Sequence, residues 1–307
     1  MRIPSTFIAI TLLLSSAYAD GTNNSYVQRI QAGRIEKETD IKSKDGFLSY
    51  IGSYRLKEGE NRVGSDPANE ILLPAGSAPA QVGKFILTKG RVTFTSSTPG
   101  LVSLNGQAVS TADLDANKSR PSAKLSVGRL QLFYRLSADL ERRVFISDPQ
   151  SPNFASFHGL DWYPIDEDWR IQGNFVPHQN PQRITYENAL GGSNIANSPG
   201  DVVFTRKRRE YRLEVGNVNN SLVVLFSDET SGKSTYGGGR TLQIEKGVGD
   251  AVILDFNQAA NQPCAVNPYT ACSLSPSQNR LAFSVTAGEK NPRMQVERVA
   301  AAPKRIQ

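Results

Sequence analysis

The stretch Phe85-Ile86-Leu87-Thr88-Lys89-Gly90-Arg91-Val92-Thr93-Phe94-Thr95 decides the fold. Two runs rich in β-branched and aromatic residues flank Lys89-Gly90, a two-residue turn signal, so the segment predicts a tight β-hairpin. The same grammar repeats outward from it. Val102-Ser103-Leu104 and Gln107-Ala108-Val109 flank Asn105-Gly106, and Arg62-Val63-Gly64-Ser65 and Glu70-Ile71-Leu72-Leu73 flank the turn Asp66-Pro67-Ala68-Asn69. Leu125-Ser126-Val127, Leu130 to Tyr134 and Arg143 to Ile146 follow. So many short strands between residues 46 and 150 predict a β-sandwich.

On the N-terminal side, residues 20–45 are polar, with Tyr26, Ile30, Ile35 and Ile41 loosely spaced and Gly33 as a weak point. They predict a short amphipathic helix lying on the outside of the fold. On the C-terminal side, residues 151–292 are again β-rich, as a small barrel or curled sheet. Phe154, Phe157, Leu160, Trp162, Tyr163 and Trp169 read as core at a domain junction. Trp169 to Phe175 alternates as a strand, and the Asn-, Gly- and Ser-rich residues 188–200 read as a surface loop. Arg206-Lys207-Arg208-Arg209 sits between two strand patterns and crowns a hairpin, while Leu222-Val223-Val224-Leu225-Phe226 reads as a strand buried on both faces. Residues 293–307 read as a flexible tail.

The first nineteen residues carry an export pattern. Met1-Arg2 is positive, Phe7 to Leu14 is apolar, and Ala17-Tyr18-Ala19 offers small residues to a signal peptidase. That apolar run is shorter than the roughly 20 residues of a membrane helix, so no membrane span is expected. The expected location is periplasmic or secreted. Cys264 and Cys272, the only two cysteines of the 307 residues, then read as a disulfide within one loop. No metal site is expected: His158 and His178 are the only histidines and neither is spaced for one. A net charge of +6 with scattered basic residues gives no stripe for nucleic acid. No cofactor motif is present.

Two resemblances attach to these residues. Gly59-Glu60-Asn61-Arg62-Val63-Gly64-Ser65-Asp66, with Leu104-Asn105-Gly106 downstream, resembles a forkhead-associated domain, a phosphothreonine-reading sandwich. Ser65 stands where that family has arginine, and Ala78-Pro79-Ala80-Gln81-Val82 has no histidine, so the resemblance implies the sandwich without its phosphate donor. A second set of motifs is Phe226-x-Asp228-x-Thr230-x-Gly232, Thr235-Tyr236-Gly237-x-Gly239-Arg240 and Leu254-Asp255-Phe256-Asn257. It continues with Asn261-x-Pro263-Cys264-Ala265, Asn279-Arg280-Leu281 and Ala287-Gly288-Glu289-Lys290. Over about residues 45–290 these resemble an uncharacterised family of mostly bacterial secreted proteins, domain of unknown function family 1684. That family has no established activity to transfer.

The site candidates follow from that cluster. Arg240 and Arg280 can fork onto carboxylates, with Asp228, Asp255 and Glu289 as partners. Thr230, Tyr236 and Asn257 can supply hydroxyls, a stacking wall and an amide. Three readings stand: a buried structural network, a pocket for a small polar or anionic ligand, and a hydrolase for glycans or esters working through a carboxylate pair. The second, a non-enzymatic binding module, is the favoured expectation, and the hydrolase and a structural envelope protein are its alternatives.

Overall fold

The computed structural model describes residues 15–115, 124–136, 141–188, 192–218, 221–270 and 272–294. Most of the expected leader, residues 1–14, and most of the expected tail, residues 295–307, therefore lie outside the described residues. Helix α1 (Ser15–Lys42) begins ahead of Ala19. No described helix is long and apolar enough to cross a membrane. Ile30 and Ile41 of α1 are buried, whereas Ile35 is 68% exposed. Five residues past Ile30 at about 100° per residue, Ile35 points to the far side of the helix. The inward stripe of α1 is largely polar, and its anchors are hydrogen bonds.

The N-terminal unit is built from β1 (Tyr50–Arg55), β2 (Gly59–Gly64), β3 (Ile71–Leu72), β4 (Gly83–Thr88), β5 (Arg91–Ser96), β6 (Val102–Leu104), β7 (Gln107–Val109), β8 (Thr111–Asp113), β9 (Lys124–Val127), β10 (Leu130–Leu136) and β11 (Arg142–Ser147). One sheet runs β1-β11-β10-β9-β6-β7 and the other β3-β2-β4-β5-β8. Val63, Ile71, Phe85, Phe94, Leu130 and Ile146 belong to one buried core shared by both sheets, so the unit is the expected β-sandwich. The hairpins form as read: Thr88 pairs with Arg91 and Leu104 with Gln107. Lys89, Gly90, Asn105 and Gly106 all take positive φ, the backbone of a type I′ turn. In the forkhead-like run, the Ser65 hydroxyl donates to the Ala78 carbonyl at 2.9 Å.

Arg62 and Glu70 form the one forked surface pair of that run. Arg62 donates from its backbone N–H, Nε and Nη2 to the Glu70 carboxylate at 2.8, 3.1 and 2.9 Å. The side-chain hydrogen bonds from Arg62, followed by its backbone N–H, pull the Glu70 pKa down from 4.5 to about 2. A carboxylate lowered in the folded state stabilises fully above its unfolded pKa and loses that contribution as pH falls through the folded one. Glu70→Gln is therefore expected to flatten the acid limb of stability between pH 4.5 and about 2: its loss relative to the parent is fully present at pH 7 and disappears as pH falls through about 2. Urea midpoints at several pH values read this. The pair is partly solvated, so added salt should shrink the difference.

The C-terminal unit contains β12 (Arg170–Glu187), β13 (Ser193–Arg206), β14 (Arg209–Val218), β15 (Ser221–Phe226), β16 (Arg240–Gln243), β17 (Glu245–Lys246), β18 (Ala251–Asp255) and β19 (Ala260–Asn261). They form one sheet, β17-β18-β12-β13-β14-β15-β16-β19, curled into a half-barrel around Phe204, Leu213, Val224, Phe226, Leu254 and Phe256. The segment expected as a loop over 188–200 departs from that reading: residues 193–198 pair with Gln182 to Glu187 and extend β13. Composition there argued for a loop, and cross-strand pairing overrides it. The register shifts between Pro177 and Gln182, where Pro177 and Pro181 have no N–H to give the ladder. Lys207 and Arg208, both at positive φ, turn the basic hairpin, and Arg206 lies over the Trp169 ring at 3.7 Å.

Of the expected aromatic junction, Phe154, Phe157, Leu160 and Trp162 pack between the units, whereas Trp169 belongs to the half-barrel core and Tyr163 to neither cluster. After β11 comes a single helical turn, α2 (Asn153–Ser156). Phe157, Leu160 and Val266 pack with Ile41 and Leu48, and Phe47, Phe154, Trp162 and Met294 close around them. Asn153 and Asn267 stitch the units together. The Asn267 amide donates to the Phe47 and Tyr50 carbonyls, both at 2.8 Å, and the Asn153 amide donates to Leu48 and Tyr50. Arg293 and Met294, read as the start of the tail, pair instead with Gly159, His158 and Phe157.

Candidate functional site

The eight candidate residues separate into a buried pair, a capped carboxylate and a cleft wall. Asp228 and Arg240 leave the facing ends of the loop joining β15 to β16, where Phe226 pairs with Arg240. Gly239 makes this possible. Its φ is +93°, and a Cβ there would stand 2.5 Å from the Phe226 carbonyl oxygen. Both charged side chains are 0% exposed and meet at 2.8 Å. Arg240 also donates to the carbonyls of Val285 at 3.0 Å, Ala287 at 2.5 Å and Glu289 at 3.3 Å. Asp228 accepts from the backbone N–H of Thr230 at 2.7 Å and of Val285 at 3.3 Å. Thr230 is buried against Thr235, hydroxyl to hydroxyl at 2.8 Å. Residues 281–287 run through the curl without strand pairing, and Arg240 supplies the donors a neighbouring strand would give.

Asp255 and Asn257, at the end of β18, are both 0% exposed and meet Tyr26 of α1. The Tyr26 hydroxyl lies 3.0 and 3.1 Å from the two Asp255 oxygens and accepts from the Asn257 amide at 3.0 Å. Gln258 adds a donor to Asp255 at 2.9 Å, and the backbone N–H of Asn257 another at 3.2 Å. Burial first, then the Asp255 carboxylate, pushes the Tyr26 phenol far above its ordinary range, so the hydroxyl remains a donor. Arg34 on the same helix lies over the Trp162 ring at 4.7 Å and donates to the Tyr163 carbonyl.

Glu289 stands apart from both. Its Oε2 accepts from Lys37 of α1 at 2.5 Å and from the backbone N–H of Asn261 at 2.9 Å. Gly288 before it, at φ +76°, passes so near Ala259 that a Cβ would lie 2.5 Å from the carbonyl oxygen. Tyr236 is half-buried and Arg280 exposed. The ion pairs among the described residues do not include Arg280, so the expected fork forms at Arg240 alone. The expected cysteine pair is at disulfide distance, with Cα atoms 6.0 Å apart.

The open space lies elsewhere, between the two units. A cleft of about 570 Å³ is bounded by α1, the sandwich and the cysteine loop, with Lys37, Glu289, Asn261, Gln262, Tyr50 and Arg135 on its walls. It adjoins a groove of about 470 Å³ on the outer face of the curled sheet, and the two share Phe47, Tyr50, Arg135, Gln262 and Pro263. Asn261 is 4% exposed. Its Nδ2 donates to the Lys290 carbonyl at 2.6 Å, which orients the amide and leaves Oδ1 buried with no partner. The exposed Arg135 guanidinium rests over the rings of Phe133 and Phe145 at 5.0 and 5.8 Å and reaches the Tyr50 hydroxyl at 3.4 Å. Among the described residues no carboxylate pairs with it.

Sequence reading found Glu289 here and missed Arg135, Lys37 and Asn261. Asn261 stands in the Asn-x-Pro-Cys-Ala motif, and that was its available signal. Arg135 closes an ordinary alternating strand and carries none. Among the described residues, no group of three histidine, cysteine or acidic side chains is placed to hold a metal.

Residues 155–290 match a protein family described as "Protein of unknown function (DUF1684)". The match spans the half-barrel with all the motif residues above and begins after the sandwich. Among solved structures, the chain is similar to an uncharacterized protein of Haloarcula marismortui at 27% identity. That alignment covers 44% of this chain and 78% of that one, with a TM-score of 0.38. It is also similar to the FHA-2 domain of a Mycobacterium tuberculosis ABC transporter at 20% identity, over 26% of this chain and 70% of that one, with a TM-score of 0.22. A comparison with curated proteins finds no match.

Proposed function

We propose that this protein is an exported, non-enzymatic binding module that holds a small polar or anionic ligand between its two units. The observation that carries this reading is the cleft wall at Asn261, a residue that lines a space of ligand size and keeps a buried amide oxygen without a partner. A buried acceptor left unmade costs about 1–3 kcal/mol, which a ligand donor or a bridging water would recover. Arg135 opposite gives the cleft a cation for an anionic group. The export pattern of residues 1–19 and the cysteine pair support the compartment.

Asp228, Thr230, Arg240, Asp255 and Asn257 serve the scaffold in this reading. Apart from Arg240 Nε, which is buried without a partner, their side-chain polar groups are engaged with each other, with backbone and with α1. The hydrolase alternative loses support from the same geometry. Asp228, Asp255 and Glu289 are each at most 1% exposed and held by different partners, whereas paired carboxylates must flank an open cleft.

Thermal unfolding of the protein with acetate, inorganic phosphate and neutral sugars tests the reading. At least one class should raise the midpoint with concentration as mass action requires, about 2.7 kcal/mol at one hundred times Kd. Arg135→Ala, an exposed site, should fold normally and lose the effect of the anions. No stabilisation by any class, or anion stabilisation that survives Arg135→Ala, would contradict the reading.

A further inference from the structure

The groove beside the cleft differs from it in chemistry. Its floor is the outer face of the curled sheet, where Tyr186, Ile195, Val218, Val223 and Leu225 present apolar side chains. Alternation along β15 explains this: Val224 and Phe226 face the half-barrel core, and Val223 and Leu225 face outward. Ile195 is 42% exposed and Val218 is 52% exposed, so the groove leaves large apolar side chains wet. Its opposite wall is Phe47, Tyr50 and Phe145 on the outer face of the sandwich. Among the described residues lining the groove, Arg135 is the only one that carries charge, and it stands where groove and cleft meet.

We infer that the ligand is a single-chain alkyl carboxylate, with its head on Arg135 and its chain along Val223, Leu225 and Val218. This rests on the reading of the cleft as a ligand site and specifies the ligand. A lone cation at the mouth of an otherwise uncharged groove complements a molecule with one anionic end and an apolar body. The rim of the cleft argues for a single negative charge. Glu36, Asp40 and Asp45 stand there, so a dianion such as phosphate meets more repulsion than a carboxylate does. The Tyr50 hydroxyl and the second N–H of the Gln262 amide, whose first donates to the Ser273 carbonyl, stand at the shared wall as donors for the second carboxylate oxygen.

Calorimetric titration of the intact protein with acetate, butanoate, hexanoate and octanoate tests the inference. Burial of each added methylene is expected to tighten Kd about fourfold, and each pair of methylenes therefore about fifteenfold. Val218→Asp puts a carboxylate in the groove at an exposed position, so folding is preserved. It should weaken octanoate at least tenfold more than it weakens acetate, which feels the added charge but has no chain to lay along the groove. Octylamine should bind at least tenfold more weakly than octanoate. Kd independent of chain length, with acetate still binding through Arg135, would overturn the alkyl inference and leave the anion reading standing. Phosphate binding more tightly than every carboxylate would do the same. No binding by any of these anions would overturn the alkyl inference and the anionic form of the ligand reading together.

Discussion

Arg240→Ala is expected to lose about 3–5 kcal/mol of unfolding free energy, the cost typical of removing one partner from a buried ion pair. The substitution strands the Asp228 carboxylate at 0% exposure and removes the donors of three carbonyls, at Val285, Ala287 and Glu289. That is a large share of a total stability that usually lies near 5–15 kcal/mol. Arg240→Lys separates charge from geometry. Lysine keeps the positive charge but has one nitrogen in place of the planar fork, so it cannot serve Asp228 and three carbonyls together. It should recover part of the loss and no more. Urea unfolding of both variants beside the parent reads this directly. A loss below about 1 kcal/mol in Arg240→Ala would mean that the guanidinium does not hold residues 285–289 in the curl.

Asp255→Ala is expected to cost about 2–4 kcal/mol. It removes the acceptor of the Tyr26 hydroxyl, of Gln258 and of the Asn257 backbone N–H, which it caps at the start of a short 3-10 turn. Tyr26→Phe removes one member of the same set and should cost about 1–2 kcal/mol. The two changes share a hydrogen bond, so the double variant should fall short of their sum by 0.5 kcal/mol or more. Release of α1 gives a second readout. Its polar anchors are Tyr26, Arg34, Lys37 and Glu38, the last accepting from the Leu160 backbone N–H. Limited proteolysis should therefore cut within 24–42 sooner in Asp255→Ala than in the parent. Strict additivity with unchanged cleavage would contradict the account of Tyr26 as the cap on Asp255.

Local chemistry made the sandwich legible. Lys89-Gly90 and Asn105-Gly106 demand positive φ, and the flanking runs alternate, so turn and strand agree with each other and with the core. The half-barrel was legible as β and less so in extent. Residues 193–200 look like a loop by composition and become strand because Gln182 to Glu187 offer them partners. The candidate site was legible as a set of residues and illegible as an arrangement. A strand-end arginine followed by three backbone carbonyls as partners leaves no pattern in sequence, so Arg240 reads the same as a ligand-binding arginine would. Asp255 depends on Tyr26, 229 residues away in the chain, and Glu289 depends on Lys37, 252 residues away. The cleft is harder still, since Arg135 and Asn261 come from different units and neither stands in a pattern that links them.

Hydrogen exchange on the intact protein, with and without saturating octanoate, tests the central claim most directly, that the motif cluster is scaffold and the space between the units is the site. The account predicts slowed exchange at residues 47–50, 131–135, 193–196 and 260–264, which wall the cleft and groove, with residues 228–240 unchanged. Protection centred on 228–240, with the walls of the cleft unaffected, would place the ligand at the Asp228 and Arg240 cluster and contradict it.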